Sequence, residues 1–263
     1  MAMIYVSHLL PDREMREVME RTGAGVESIE FGVADNLDNL SRSIKNYRMR
    51  MRQIGVSKLI IHGPFLDLNP MTFDSQIQKV TKLRYSQAYT AARELGAKKI
   101  VFHTCFYPDA YLLIGWAQRM ADFFQEFLEE RTEVEVVMEN VFDRKWEPLL
   151  EVKERVKASN FSLCLDIGHA HCYSSCPVTE WADSLGESIS HIHIHDNKGD
   201  RDTHLGLGQG NIPLKEIFHL LTQKKRNLTY TIECGKKEDV ISSWEYWNSM
   251  VSSLNKSTLV QKD

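Results

Sequence analysis

Between positions 189 and 213 the chain reads Ile-Ser-His191-Ile-His193-Ile-His195-Asp196, enters a turn rich in Gly and Asp, and presents Asp202 and His204. Strict alternation puts His191, His193 and His195 on one face of a strand and the isoleucines on the other. Imidazoles and carboxylates converging at a strand's end have the composition of a metal site. A polar strand face followed by a solvated loop is the simpler alternative. Whether matching residues recur elsewhere decides between them.

They do recur. His62 precedes a Gly-Pro turn in the apolar run 56–65, and His103 closes the run 98–105. Glu139-Asn140 closes 133–141, Asp166-x-x-His169 closes 160–169, and Glu233 closes 227–235. Any one of these alone would be an ordinary structural polar group. With His193, Asp202 and His204 they make five histidines and four carboxylates. Buried carboxylates without compensating charge cost several kcal/mol each, so divalent cations are the simplest partners for such a set. Mixed His and carboxylate ligation suits zinc or manganese.

The elements that must position these residues follow one repeating pattern. Strands are expected over 3–9, 25–32 (with Glu30 at its carboxyl end), 56–65, 98–105, 133–141, 160–169, 188–196 and 227–235. Helices are expected over 12–22, 40–54, 74–95, 110–131, 147–158, 178–185, 214–224 and from 237 to about 254. Apolar strands alternating with helices call for parallel crossover units, and eight such units close a barrel. An open doubly wound sheet would need a glycine-rich phosphate turn after the first strand, and Ser7-His8-Leu-Leu-Pro offers none. The expected fold class is therefore α/β, a single-domain (β/α)8 TIM barrel of eight parallel strands over residues 1–263, with a polar tail at about 255–263. In a closed parallel barrel the carboxyl ends of the strands form one rim, where such enzymes build their active sites. All nine candidate residues fall there or in the loop after the seventh strand.

Composition narrows the function classes. Apolar residues make up 43% and charged residues 26%, as in ordinary globular proteins. A net charge of −4 gives no electrostatic reason to expect nucleic acid or an anionic membrane surface as partner. No apolar window reaches a membrane-spanning length, and the start lacks a secretory pattern, so a cytoplasmic protein is expected. Five scattered cysteines fit reduced thiols better than a disulfide framework, and Cys172-x3-Cys176 is too weak a pair to read as a metal site. The basic cluster Lys45, Arg48, Arg50 and Arg52 reads as a solvated helix face rather than a phosphate patch.

The whole pattern resembles the xylose-isomerase-like TIM barrels, which include sugar epimerases, sugar-phosphate isomerases and the endonuclease IV group of abasic-site endonucleases. The resemblance covers nearly the whole chain. It rests on His62-Gly-Pro-Phe-Leu, Met138-Glu139-Asn140, Cys164-Leu-Asp166-Ile-Gly-His169, His193-Ile-His-Asp196 and Asp202-Thr-His204-Leu-Gly-Leu-Gly-Gln-Gly. Likeness to the epimerases implies one divalent ion on Glu139, Asp166, His193 and Glu233, with the two glutamates as acid/base pair and His169 touching substrate. Likeness to the endonucleases implies His62, His103, His169, Asp202 and His204 as further ligands and three zinc ions in all.

The chain also departs from the endonucleases. Their Gly-rich continuation after the strand-five glutamate is Val141-Phe142-Asp143-Arg144-Lys145-Trp146 here, their Asp-Thr-Cys-His run is Asp166-Ile-Gly-His169, and their DNA-probing Tyr-Leu pair is Phe65-Leu66. The implied function is a metal-dependent isomerase or epimerase of a small sugar or sugar phosphate. The alternative is an endonuclease IV-like phosphodiester hydrolase.

Three roles stay open at the level of sequence. Asp202 and His204 could complete a zinc set with His169, or Asp202 could simply orient His204 by a hydrogen bond. His8, Lys198 and Arg201, with Lys145, are candidates to contact a substrate hydroxyl or phosphate, against the plainer reading of surface charge. Assembly into a homo-oligomer is left open.

Overall fold

The computed structural model describes residues 3–224 and 227–260. Its strands are β1 (Met3–Ser7), β2 (Gly25–Ser28), β3 (Leu59–His62), β4 (Lys99–His103), β5 (Glu135–Glu139), β6 (Phe161–Asp166), β7 (Ile189–Ile194) and β8 (Thr229–Ile232). Each pairs in parallel with the next, and β1 closes on β8 with Val6 opposite Ile232. The helices are α1 (Asp12–Thr22), α2 (Ala34–Asp38), α3 (Leu40–Ile54), α4 (Ser75–Leu95), α5 (Trp116–Leu128), α6 (Glu147–Arg155), α7 (Ile167–Tyr173), α8 (Val178–Leu185), α9 (Leu214–Lys224) and α10 (Lys237–Val260). This is the closed (β/α)8 barrel expected. No helix among the described residues is long and apolar enough to cross a membrane.

Local chemistry explains the individual elements. In α1 the buried residues Met15, Val18 and Met19 recur at helical spacing and face the barrel, and Gly23 ends the helix at φ 63°. The Asp74 carboxylate caps α4 by accepting from the N–H groups of Gln76 and Ile77. Outward residues of the strands, such as Phe102, Met138, Leu165 and Ile192, are fully buried against the helices and belong to the main core.

The strands are shorter than the apolar runs suggest, because residues beyond each carboxyl end turn away into rim loops. Glu30, expected at the end of the second strand, lies instead in a 3-10 turn and pairs with Arg50 at 2.7 Å. Helices α2 and α7 were not expected. The helix expected over 110–131 begins only at Trp116, after Gly115 takes a left-handed φ of 65°. The last helix runs on to Val260 where a tail from about 255 was expected, and 261–263 lie outside the described residues.

Candidate active site

The pleat of the barrel delivers the functional side chains. Tyr5, Ile60, Val101, Val137 and Cys164 form an apolar layer inside the barrel. Two residues further along the same strands, on the same inward face, stand Ser7, His62, His103, Glu139 and Asp166. Hydrophobic filling therefore ends and ligating chemistry begins within one pleat. His193 on β7 is fully buried, and Glu233 follows β8. Asp166 closes β6 and also caps α7, its carboxylate accepting from the His169 N–H at 2.7 Å.

The donors converge in two groups. His62 Nε2, His103 Nε2 and Glu139 Oε2 lie 3.2–3.3 Å from one another. Asp202 Oδ2 stands 3.2 Å from His169 Nε2 and 3.0 Å from His204 Nε2. His193 Nδ1 joins them through the middle, 3.1 Å from Glu139, 3.6 Å from Glu233 and 3.7 Å from Asp166.

The ring orientations are set from behind. His62, His169 and His204 each turn Nδ1 to a backbone carbonyl, of Gly63, Asn140 and Glu233 respectively, at 2.9–3.0 Å. With Nδ1–H donating, Nε2 of all three is turned toward the site, where a neutral ring would present its lone pair to an ion. His204 is held in this position at a left-handed φ of 47°, unusual for a residue with a side chain. Its ring stacks on His195 at 3.9 Å.

His193 is mounted the other way round, and a residue missed in the sequence mounts it. Glu27 on β2 is fully buried and lies 3.0 Å from both His193 Nε2 and His191 Nε2, while Thr231 Oγ1 donates to it at 2.5 Å. Accepting from Nε2–H, Glu27 leaves His193 Nδ1 to face the three carboxylates. The alternation Val26-Glu27-Ser28 was the available signal, since Val26 outside requires Glu27 inside. His195, named only as part of a strand face, reaches Asp166 at 3.1 Å.

The loop that brings Asp202 and His204 over the rim is anchored on Asp196. Its carboxylate accepts from the N–H groups of Asn197, Gly208 and Ile212 at 2.9–3.2 Å, and its backbone bridges Leu205. Gly168 lets the loop's neighbour His195 approach α7, because a Cβ there would fall 1.9 Å from the His195 ring.

These donors fit a divalent cation. Tetrahedral zinc with bonds of ~2.0–2.1 Å separates its ligand atoms by about 3.3 Å, which matches the first group. Glu139 Oε2, Asp202 Oδ1 and His195 Nδ1 are buried yet accept or donate no hydrogen bond. The charge balance points the same way. Burial raises the cost of ionising Glu139, but the imidazoles of His193 and His103 outweigh it and hold the carboxyl well below its usual range. Burial, helped by Glu27, Glu139 and Asp166, pushes Glu233 upward. His204 is driven to about 9 by Asp202 against the effect of burial. Positive charge is wanted among these carboxylates, and only imidazole supplies it here.

Above the donors opens a cavity of about 510 Å³ floored by His62, His103, Glu139, His169, His204 and Glu233. Phe65 forms part of its wall and stacks on His103 at 4.3 Å. Four other candidates stand elsewhere. His8 turns its two ring nitrogens to Tyr47 at 2.9 Å and Asp12 at 3.1 Å, away from the cavity. Lys198 and Arg201 are exposed in the β7–α9 loop and line no part of it, nor does Lys145. Arg50 of the basic cluster is occupied by Asp12 and Glu30, and Cys172 and Cys176 are free thiols.

Comparison with known proteins agrees with this fold. The family model described as "Xylose isomerase-like TIM barrel" matches residues 22–250. An uncharacterized protein of Methanocaldococcus jannaschii is 27% identical over 85% of this chain and 80% of its own length. A probable endonuclease 4 of Bacillus thuringiensis is 26% identical over 68% of this chain and 66% of its own. The crystal structure of a D-tagatose 3-epimerase-like protein superposes with a TM-score of 0.78 at 23% identity, over 97% of this chain and 99% of that one.

Proposed function

For a chain that belongs to the xylose isomerase-like TIM barrel family, as this one does, we propose divalent-metal-dependent isomerisation or epimerisation of a small sugar. One observation carries the reading. Glu139 and Glu233, from β5 and the end of β8, flank the single nitrogen His193 Nδ1 at 3.1 and 3.6 Å on the floor of a cavity sized for one small molecule. Glu139, Asp166, His193 and Glu233 would hold the ion. Bound there, it would supply the Lewis acidity that acidifies a C–H beside a carbonyl.

The residues of the chain do the rest. A carboxylate on one side of the sugar removes the proton, and a carboxyl on the other returns one to the opposite face, which inverts that carbon. One glutamate serving both transfers on one face would instead interconvert aldose and ketose. His169, its Nδ1–H committed to Asn140, offers Nε2 to a substrate hydroxyl or to an ion.

A second reading is favoured by the two further donor groups, His62/His103/Glu139 and His169/Asp202/His204. Several ions held there suit phosphodiester hydrolysis. The test is elemental analysis of the purified protein, with NMR-detected deuterium exchange at carbons beside the carbonyl of ketoses and an abasic-duplex cleavage assay. Exchange supports the isomerase. Cleavage without exchange would overturn it.

A further inference from the structure

The rim of the cavity is divided in a way that the proton chemistry alone does not require. The loops after β1 to β5 contribute Leu9, Ile29, Leu66, Phe106, Tyr107 and Phe142 to its wall. The side after β6 to β8 contributes His169, His204 and Glu233. Most of the apolar residues are open to solvent, Leu66 at 71% and Phe142 at 36%. The Tyr107 and Phe142 rings lean together at 5.6 Å, and Tyr173 extends the surface against Phe142 at 4.9 Å. Among the described residues, no lysine or arginine lines the cavity.

Resting on the sugar reading above, we infer that the natural substrate is an uncharged sugar carrying an apolar, aromatic-sized substituent at the end remote from its carbonyl. A free sugar could lay only one small C–H face on an aromatic ring and would leave most of this wall wet. A sugar phosphate would bring a dianion to a mouth that offers it no lysine or arginine. A molecule with one end of hydroxyl and carbonyl oxygens and one apolar end matches both halves. The cavity of about 510 Å³ has room for a monosaccharide and one ring.

The experiment is a ligand-observed NMR titration of the zinc-loaded protein with D-fructose, D-fructose 6-phosphate and 6-O-benzyl-D-fructose. The benzyl ether should bind about tenfold tighter than fructose, and the phosphate no tighter than fructose. In the Leu66→Ser/Phe142→Ser variant the ratio of benzyl ether to fructose affinity should fall toward one. Because both affinities are read on the same variant, the ratio is insensitive to a fraction of misfolded protein. Equal binding of fructose and its benzyl ether would overturn the inference and leave the sugar reading standing. Tightest binding of the phosphate would overturn it in favour of a sugar-phosphate enzyme. No saturable binding of any of the three would sink the sugar reading and the inference with it. Sizing of the same proteins covers the remaining occupant: a dimer made monomeric by the variant, at unchanged affinity ratio, would reassign the apolar wall to a subunit interface.

Discussion

Glu27 stands behind His193 inside the barrel, 3.0 Å from its Nε2, and the orientation of that ring should depend on it. Glu27→Gln preserves shape, yet whichever way the amide turns, its NH2 meets an imidazole nitrogen or Thr231 that the carboxylate had accepted from. His193 should then lose its fixed tautomer, and zinc affinity measured by chelator competition should fall about 10–100-fold with the fold retained. Unchanged affinity would remove Glu27 from the argument. Asp143 offers a second test, through pH. Burial pushes its carboxyl up to about 6, although Thr104 O–H and Val141 N–H both donate to it. A raised carboxyl contributes stability below its unfolded pKa of about 4, and that contribution is lost as pH rises through about 6. Asp143→Asn keeps an acceptor for both donors, so it should be more stable than the parent by about 1–3 kcal/mol at pH 8 and indistinguishable near pH 4. Urea midpoints at the two values decide this. Seven of the nine rim candidates were legible in the sequence because each stands at the end of an apolar run, and Asp202 and His204 because they follow one such run in a glycine-rich loop. Glu27 was hidden mid-strand, and Lys198 and Arg201 attracted attention by charge although their loop carries them outward.

At the level of elements, punctuation carried most of the reading. Glycines 23, 55 and 96, all at positive φ, stop α1, α3 and α4 where expected. Helix α7 escaped because seven residues are too few to show a period, although Asp166 three positions before His169 is a helix-cap signal. The β7–α9 loop has almost no regular structure, and its order comes from one side chain. Asp196→Ala removes the acceptor of three backbone N–H groups. Hydrogen exchange at Gly208 and Ile212 should then quicken by about tenfold or more, and any ion held by His169, Asp202 and His204 should be lost. An ion held by Glu139, Asp166, His193 and Glu233 should survive, since those donors stand on strands or, for Glu233, directly after one. Unaltered exchange at both amides would show that the bridge to Leu205 suffices.

For the whole molecule, the donors come from six strands separated by most of the chain, so the site exists only when the barrel is closed. The strand count and the shared rim were readable from the sequence because every unit repeats the same order of apolar run, polar terminus and helix. Depth was not readable: which inward positions fill the barrel and which ligate depends on register, as in Val101 and His103 opposite Val137 and Glu139. A metal ion held at a site assembled by closure would couple its binding to folding. Zinc that binds the folded chain and only weakly the unfolded one stabilises it by about 2.7 kcal/mol at a concentration of 100 Kd. For a domain of this size each kcal/mol moves the midpoint by about 2–4 °C, so the thermal midpoint should rise by about 5–10 °C with zinc and return on chelation. The control is Asp166→Asn, which keeps an acceptor to cap α7 through His169 N–H while losing the negative charge the ion needs. Calorimetry on both proteins, with and without zinc, reads the coupling directly. A midpoint that rises equally in both would place the bound zinc elsewhere on the surface, and one that rises only in the parent ties the ion to the closed rim.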